Sequence, residues 1–325
     1  MKRRTLLGIP SVSMLSAALA SPTLRAAQWP LHPVTLVIGF PPGGVIDLQA
    51  RQLALSLSGA LLQPVIVDNK PGAGQMIGAD FIARAEPNGY TIGIIDSGPL
   101  TIGPHLRRAS YDPLRSFTLL GGVSTMPLML LASNASGIDS VADLRAAAAK
   151  SPGGLSYGSA GPGSIHHLLG EMLRQSTGIE LIHVPYRGTA AATADLVAGR
   201  IPLMFAAVAS GIGMVRAGQA QAVGVISSKR TEAAPTIPTL LEQGVTEVEA
   251  TGWSGVFAPK ALSSATAEVL RAALQRALQD PTFVRQNRQQ GNEVLAGTEI
   301  ELQRLLTEDF RRWGDLIAAR GIRLD

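Results

Sequence analysis

Gly39-Phe40-Pro41-Pro42-Gly43-Gly44-Val45-Ile46-Asp47 is the stretch on which the reading of this chain turns. A run of β-branched and apolar residues, Val34 to Ile38, leads into it, and a helical pattern from Leu48 to Leu57 leads out. Strand, Gly/Pro turn, helix is the order of a βα unit. Its turn presents free backbone N–H groups at a helix N-terminus, where the dipole favours an anion. Gly43 and Gly44 have no Cβ, so a ligand can come close to the backbone. Tyr157-Gly158-Ser159-Ala160-Gly161-Pro162-Gly163-Ser164, followed by helical residues from His166, has the same character. Either turn alone is an ordinary βα connection. The pair points to a small anion held between two lobes.

Working outward, Pro64 to Val67 and Tyr90 to Ile95 read as strands two and three. A helix from Ile77 to Ala85 lies between them, and strand three ends at Asp96-Ser97-Gly98. This β-α-β-α-β order predicts a parallel sheet with ligands at the strand C-termini. Phe117 to Ala132 is a long apolar run that reads as a crossing from one lobe to the other. A second βα series follows, with strands near 155–157, 180–184, 201–205 and 222–226. Trp253 to Ala258 reads as the return crossing. Two amphipathic helices close the chain, the first over Val269 to Leu278 and the second opened by Thr298-x-x-Glu301. The expected division is lobe one over 27–124 plus 246–325 and lobe two over 125–245. Each lobe is an α/β layer with a mainly parallel sheet.

Composition bounds the function. The chain has 325 residues, 46% of them hydrophobic and 16% charged, as in a globular body. The net charge is +4, but Lys and Arg are dispersed and aromatics are only 4%, so the pattern is not that of a nucleic-acid binder. With no cysteine there is no disulfide framework, thiolate nucleophile or Cys-based metal site. Lys2-Arg3-Arg4 precedes an apolar stretch from Leu6 to Ala20 with small residues at Ala18-Leu19-Ala20, and Leu24-Arg25-Ala26 offers a second cleavage point. Residues 1–26 therefore read as a secretory signal peptide, with a twin-arginine route open.

The reaction motifs are missing. There is no G-x-x-x-x-G-K-[ST], no G-x-G-x-x-G at the first turn, and no H-E-x-x-H. Around Ser159 the G-x-S-x-G elbow fails, because Tyr157 stands where the first glycine belongs. His166 and His167 are adjacent and diverge on a helix, a poor chelate. No cofactor or metal is expected. What remains are glycine amides, hydroxyls and a few polar side chains. His167 is either a donor to an anion or a helix-end histidine. Asp47 is either a cap of its turn or a polar partner for ligand or water. Arg187 is a bidentate carboxylate partner or a solvated surface cation.

Six motifs stand out together: Phe40-Pro41-Pro42-Gly43-Gly44-x-x-Asp47, Asp68-Asn69-Lys70-Pro71-Gly72-Ala73-Gly74, Pro87-Asn88-Gly89-Tyr90-Thr91, Tyr157-Gly158-Ser159-x-Gly161-x-Gly163-Ser164-x-x-His167-Leu168, Val184-Pro185-Tyr186-Arg187-Gly188 and Leu203-Met204-Phe205. In this combination the chain resembles the Bug family, the TctC-like solute receptors of tripartite tricarboxylate transporters. The likeness runs over the whole mature chain. It implies a type II periplasmic binding protein fold, two lobes hinged by two crossing segments, and a monomer that passes a small organic carboxylate to membrane permease components. It further implies that Tyr157, Gly158, Ser159, Gly161, Gly163, Ser164, His167, Tyr186, Arg187 and Gly188 hold the carboxylate. Phe40, Gly43, Gly44, Asp47, Ser97 and Gly98 then close over it from the other lobe.

The chain departs from the family pattern at Ala206, where an aspartate is usual, at Ile46, where threonine is frequent, and at Gln75-Met76, where Gly-Asn is usual. Alanine at 206 offers no acid for an ammonium group, and Ile46 suggests an apolar wall. The expected ligand is thus a carboxylate with an apolar or aromatic body. Two rivals stay open: a hydrolase using Ser159 or Ser164, for which His167 is the one candidate base, and a sensor that reports ligand occupancy to a membrane kinase.

Overall fold

In the computed structural model of the chain the described residues are 29–43, 45–186, 188–248, 250–289, 291–295 and 297–323. The expected signal peptide, Gly44 and Arg187 lie outside them. The first βα series is β1 (Val34–Ile38), α1 (Val45–Leu61), β2 (Val65–Asn69), α2 (Met76–Arg84) and β3 (Thr91–Asp96), with β1 parallel to both β2 and β3. The apolar run of β1 is continuous because both faces are covered. Val34, Leu36 and Ile38 pack under α1, while Val37 joins Ile82 of α2 on the other face.

Two short helices, α3 (Ser97–Thr101) and α4 (Gly103–Leu106), lead to β4 (Phe117–Ser133), the longest strand. The second series is α5 (Val141–Ala149), β5 (Leu155–Ser159), α6 (Ile165–Thr177), β6 (Leu181–Pro185), α7 (Thr189–Val197), β7 (Leu203–Ala207), α8 (Val208–Arg216) and β8 (Ala220–Ile226). Here β5 is parallel to β6 and β7, and β4 runs antiparallel between β7 and β8. The chain then returns through β9 (Thr251–Pro259), α9 (Ser264–Leu278), α10 (Pro281–Gln289), β10 (Glu293–Val294) and α11 (Glu299–Arg320).

Strand β4 joins the two halves. Its residues Phe117 to Pro127 pair with β9, and Leu128 to Ser133 pair with β7 and β8. The exchange of partners between Pro127 and Leu128 is the outward crossing expected from the sequence. The return crossing is not Trp253 to Ala258. All of β9, from Thr251 opposite Pro127, is already paired in the first sheet half, so the chain crosses before Thr251. The apolar pattern of β9 misled because a strand buried on both faces and a crossing strand look alike in sequence.

Each half has helices on both sheet faces. In the first, Leu53 and Leu57 of α1 meet Leu270 and Leu274 of α9 on one face, and Ile82, Trp253, Phe257 and Leu302 fill the other. In the second, Leu144, Leu168, Leu173 and Phe205 form one core, and Ala192, Leu196, Met204 and Val208 the other. Helix α11 belongs to both halves: Leu302 and Leu306 pack in the first, Trp313 and Ile317 in the second. Two helix starts read from sequence are built as expected. Ser140 accepts the Asp143 amide, and Thr298 with Glu301 forms a reciprocal capping box. No helix among the described residues is long and apolar enough to cross a membrane.

Candidate functional site

Parallel strands in both halves send their C-terminal ends toward one cleft of about 530 Å³. From the first half come the turn Ala73–Met76 after β2 and Asp96, Ser97 and Gly98 at the end of β3. From the second come Ala160 and the run Pro162–His166. The junction supplies Met126 and Leu128 of β4, Gly252 of β9 and Ala207 of β7. Ile102, Leu106 and Ile165 make the walls largely apolar, and Arg107 stands exposed at the margin. A cavity of about 630 Å³ lies elsewhere, between α6 and α11, walled by Glu308, Arg311, Arg312 and Asp315. It is remote from the strand ends, and no loop from β5 or β6 reaches it.

The second glycine turn is rigidly organised. Ser159 Oγ accepts from Gly161 N at 3.0 Å, and Ser164 Oγ donates to Gly161 O at 2.7 Å. Ser164 also caps α6 by accepting from His167 N at 3.3 Å. Gly163 N donates to His167 Nδ1 at 3.1 Å. The turn needs φ of +120° at Gly161 and +71° at Gly163, a region that costs a residue with a Cβ about 1–2 kcal/mol. The outcome is that Ile165 and His166, which open α6 against the cleft, carry amides with no intrahelical acceptor. This is the turn at which the sequence reading expects an anion cradle.

Other residues expected at this site support the loop from behind. The Tyr157 ring is fully buried, with its hydroxyl donating to His167 O at 3.1 Å. Gly158 packs so closely that a Cβ there would meet Ile201 at 2.5 Å. Tyr186 N donates to Ser159 O at 3.1 Å, and its hydroxyl donates to Asp195 Oδ2 at 2.7 Å. Gly188 caps α7 at φ +97°, and its amide reaches Ala160 O at 3.4 Å. Of the residues expected to hold the carboxylate, Gly163 and Ser164 line the cleft.

Burial pushes the three histidines about the second turn, His166, His167 and His183, toward the neutral form. Burial pushes His166 down to about 4. Burial, with help from neighbouring His167, does the same to His183. His167 is lowered by burial and stacks on His183 at 3.8 Å between ring centroids. The base beside Ser159 is His183 rather than His167, with Nε2 2.6 Å from Ser159 Oγ. A serine–histidine pair thus exists, yet Ser159 is 1% exposed and its oxygen is held inside the loop, where no substrate carbonyl can approach. Among the described residues no cluster of three acids or histidines could hold a metal.

The first glycine turn sits one layer behind the wall. Asp47 accepts from Gly43 N at 2.9 Å, Arg51 Nε at 2.9 Å, Arg51 Nη2 at 3.0 Å and Asn69 Nδ2 at 2.9 Å. Arg51 beside it, with these amide donors, holds the carboxylate at about 2 despite burial. Phe40 packs on the first core, and its carbonyl accepts from Asn69. The turn touches the cleft through Gln75, against which Gly39 is pressed so tightly that a Cβ would lie 2.7 Å from Gln75 Cβ. Phe40, Gly43 and Asp47 are thus not on the described cleft wall, whereas Ser97 and Gly98 are. Nor does Ile46 form an apolar wall; it is buried beneath the turn.

Sequence reasoning missed Asp96. It ends β3, lines the cleft, is 7% exposed, and its Oδ1 has no hydrogen-bond partner. Burial raises it to about 7. The signal was present: a lone carboxylate closing an apolar strand at the end where parallel sheets bind ligands.

With that geometry in place, comparison with known proteins is specific. Residues 49–322 match the model of the tripartite tricarboxylate transporter family receptor, TctC. The UPF0065 protein in the tcbD-tcbE intergenic region of Pseudomonas sp. (strain P51) is 35% identical over 317 residues, 97% of this chain and 94% of that protein. The structure of the periplasmic binding protein BugD matches with a TM-score of 0.76 and 32% identity, over 91% of this chain and 100% of that one. R. palustris Rpa4515, solved with adipate, matches with a TM-score of 0.79 and 31% identity, again over 91% and 100%. This chain, with paired βα halves joined through one shared strand and a cleft at their strand ends, belongs to the Bug/TctC family of tripartite tricarboxylate transporter receptors.

Proposed function

We propose that the protein is an exported, monomeric solute receptor that binds a small carboxylate between its lobes and delivers it to the membrane permease components of a tripartite transporter. The observation that carries this is the α6 cradle, where the opening amides of Ile165 and His166, without intrahelical acceptors, border an apolar-walled cleft beside Ser164. Neutral histidines leave amide dipoles as the main positive feature of that wall, with Arg107 at the margin to attract the anion. Each hydrogen bond to a carboxylate contributes about 1.5–3 kcal/mol net, so a handful reaches roughly −8 kcal/mol, or micromolar affinity.

The walls favour a ligand with an apolar body, and the related R. palustris protein holds adipate, two carboxylates on a methylene chain. Lobe one comprises 27–124 plus 246–325 and lobe two 125–245, and closure about β4 and the chain before β9 brings the wall with Ser97 and Gly98 over the ligand. The buried Ser159 argues against the hydrolase reading. Thermal-shift and calorimetric titration with mono-, di- and tricarboxylates and aromatic acids tests the proposal. Saturable binding of an acid with an apolar body supports it; no response to any acid, or a response confined to citrate, refutes it.

A further inference from the structure

Asp96 is a carboxyl in the cleft that nothing above puts to use. It lines the same cleft as the start of α6, but from the opposite half of the molecule. It is 7% exposed, its Oδ1 has no partner, and it forms no ion pair among the described residues. Folded proteins pair nearly all buried polar atoms, and a buried carboxylate with no partner is destabilising. A partner therefore has to come from elsewhere. We propose that Asp96 is a specificity-determining residue, and that the ligand is a carboxylate that also carries a protonated amine seated against Asp96.

This rests on the carboxylate-receptor reading and deepens it. Three chemistries could meet Asp96. A second carboxylate would bring like charge to Asp96 once it is ionised, which holds above about pH 7. A hydroxyl would supply one donor and leave the charge uncompensated. An ammonium supplies three donors and the opposite charge. Among the described residues none provides that cation. Arg107 is exposed at the margin and unpaired with Asp96, and His166 is neutral. Burial raises Asp96 to about 7, which is the behaviour of a carboxyl waiting for a partner. Between Asp96 and the α6 amides the walls are Ile102, Leu128 and Ile165, suited to carbon rather than further charge. The acid that is absent at Ala206 is thus present across the cleft.

The test uses five six-carbon acids on the purified full chain: hexanoate, its terminal hydroxy, terminal amino and alpha-amino analogues, and adipate. Calorimetric titration should show at least one amino analogue binding about tenfold or more tighter than hexanoate. Asp96→Asn should abolish that gain, so that the amino analogues and hexanoate bind the variant within about twofold of one another, because the asparagine keeps the shape and loses the charge. Should Asp96→Asn fold poorly, Asp96→Ser makes the same comparison. The assignment is overturned if amino analogues bind no better than hexanoate, if the hydroxy analogue matches them, if adipate is preferred, or if the variant weakens every acid alike. Absence of binding by all five acids would overturn the receptor reading itself, a result distinct from loss of selectivity alone.

Discussion

The state of Asp96 in the empty protein is measurable through its effect on folding. In the unfolded chain its carboxyl titrates near the ordinary aspartate value of 3.8; in the folded protein burial raises it to about 7. Between these values the folded state holds a proton that the unfolded state has released. Linkage then requires stability to fall as pH rises, by about 1.4 kcal/mol per unit, until the folded carboxyl is itself ionised. Asp96→Asn has no proton to exchange. From about pH 4.5 to about pH 8.5 the wild type should therefore lose on the order of 3 kcal/mol relative to the variant. Any fixed effect of the amide cancels in this difference, and so do the other titrating groups, Asp47 included. Urea unfolding of both proteins at the two pH values reads it directly. Parallel stability curves, within about 0.5 kcal/mol, would refute the account of Asp96 as an unpartnered buried acid.

Asp47 should behave in the opposite sense. Its folded value of about 2 lies below 3.8, so its stabilisation is present above about pH 4 and lost as pH falls toward 2. Asp47→Ala should cost about 1–3 kcal/mol at neutral pH, and that cost should shrink in acid unfolding series. Gly163→Ala, at φ +71°, should lose about 1–2 kcal/mol through backbone strain and weaken carboxylate binding, since it displaces the start of α6; unchanged affinity in titration would detach the cradle from function. Ser159→Ala should cost about 1–2 kcal/mol, because His183 and the Gly161 amide lose a partner. Mass spectrometry should recover the ligand unaltered from wild type and variant alike, and conversion by the wild type alone would revive a hydrolase.

Most of the frame was legible because burial on both faces leaves a strong mark. Val34–Ile38 reads as a strand and is one, and Phe117–Ala132 reads as a crossing because no strand confined to one lobe needs that length. The short elements were not. The helices over 97–101 and 103–106 carry two prolines and two glycines, the composition of a turn, and form because tertiary packing outweighs propensity. Pro281–Gln289 had a signal in Asp280-Pro281, where Asp280 accepts the Thr282 amide at 2.8 Å, but its apolar face is only two residues deep. In the site, the glycine turns were visible as motifs, while the division of labour within them was not. Sequence places Asp47 and Ser164 in equivalent turns, yet one is consumed by Arg51 and Asn69 and the other borders the cleft. That difference depends on residues distant in the chain, which periodicity cannot report.

The same contrast explains why this cleft is better suited to holding a ligand than to transforming it. The groups a reaction would call on are already saturated. Ser159 is bonded to Gly161 and His183, His183 is stacked and neutral, and Asp47 accepts four hydrogen bonds. A nucleophile so engaged must break loop contacts before it can attack, at the cost of the turn that shapes the site. Among the described residues of the cleft, the groups left without partners are of another kind: the opening amides of α6 and the ring Nδ1 of His166 on one half, and the Asp96 carboxyl, an acceptor once ionised, on the other. They stand on opposite halves of a cleft whose halves share β4, so one ligand can satisfy both only by bridging them. Under the proposed hinge about β4, unsatisfied hydrogen-bonding capacity on both halves is a bias toward closure, and the ligand that completes both sets selects the closed form.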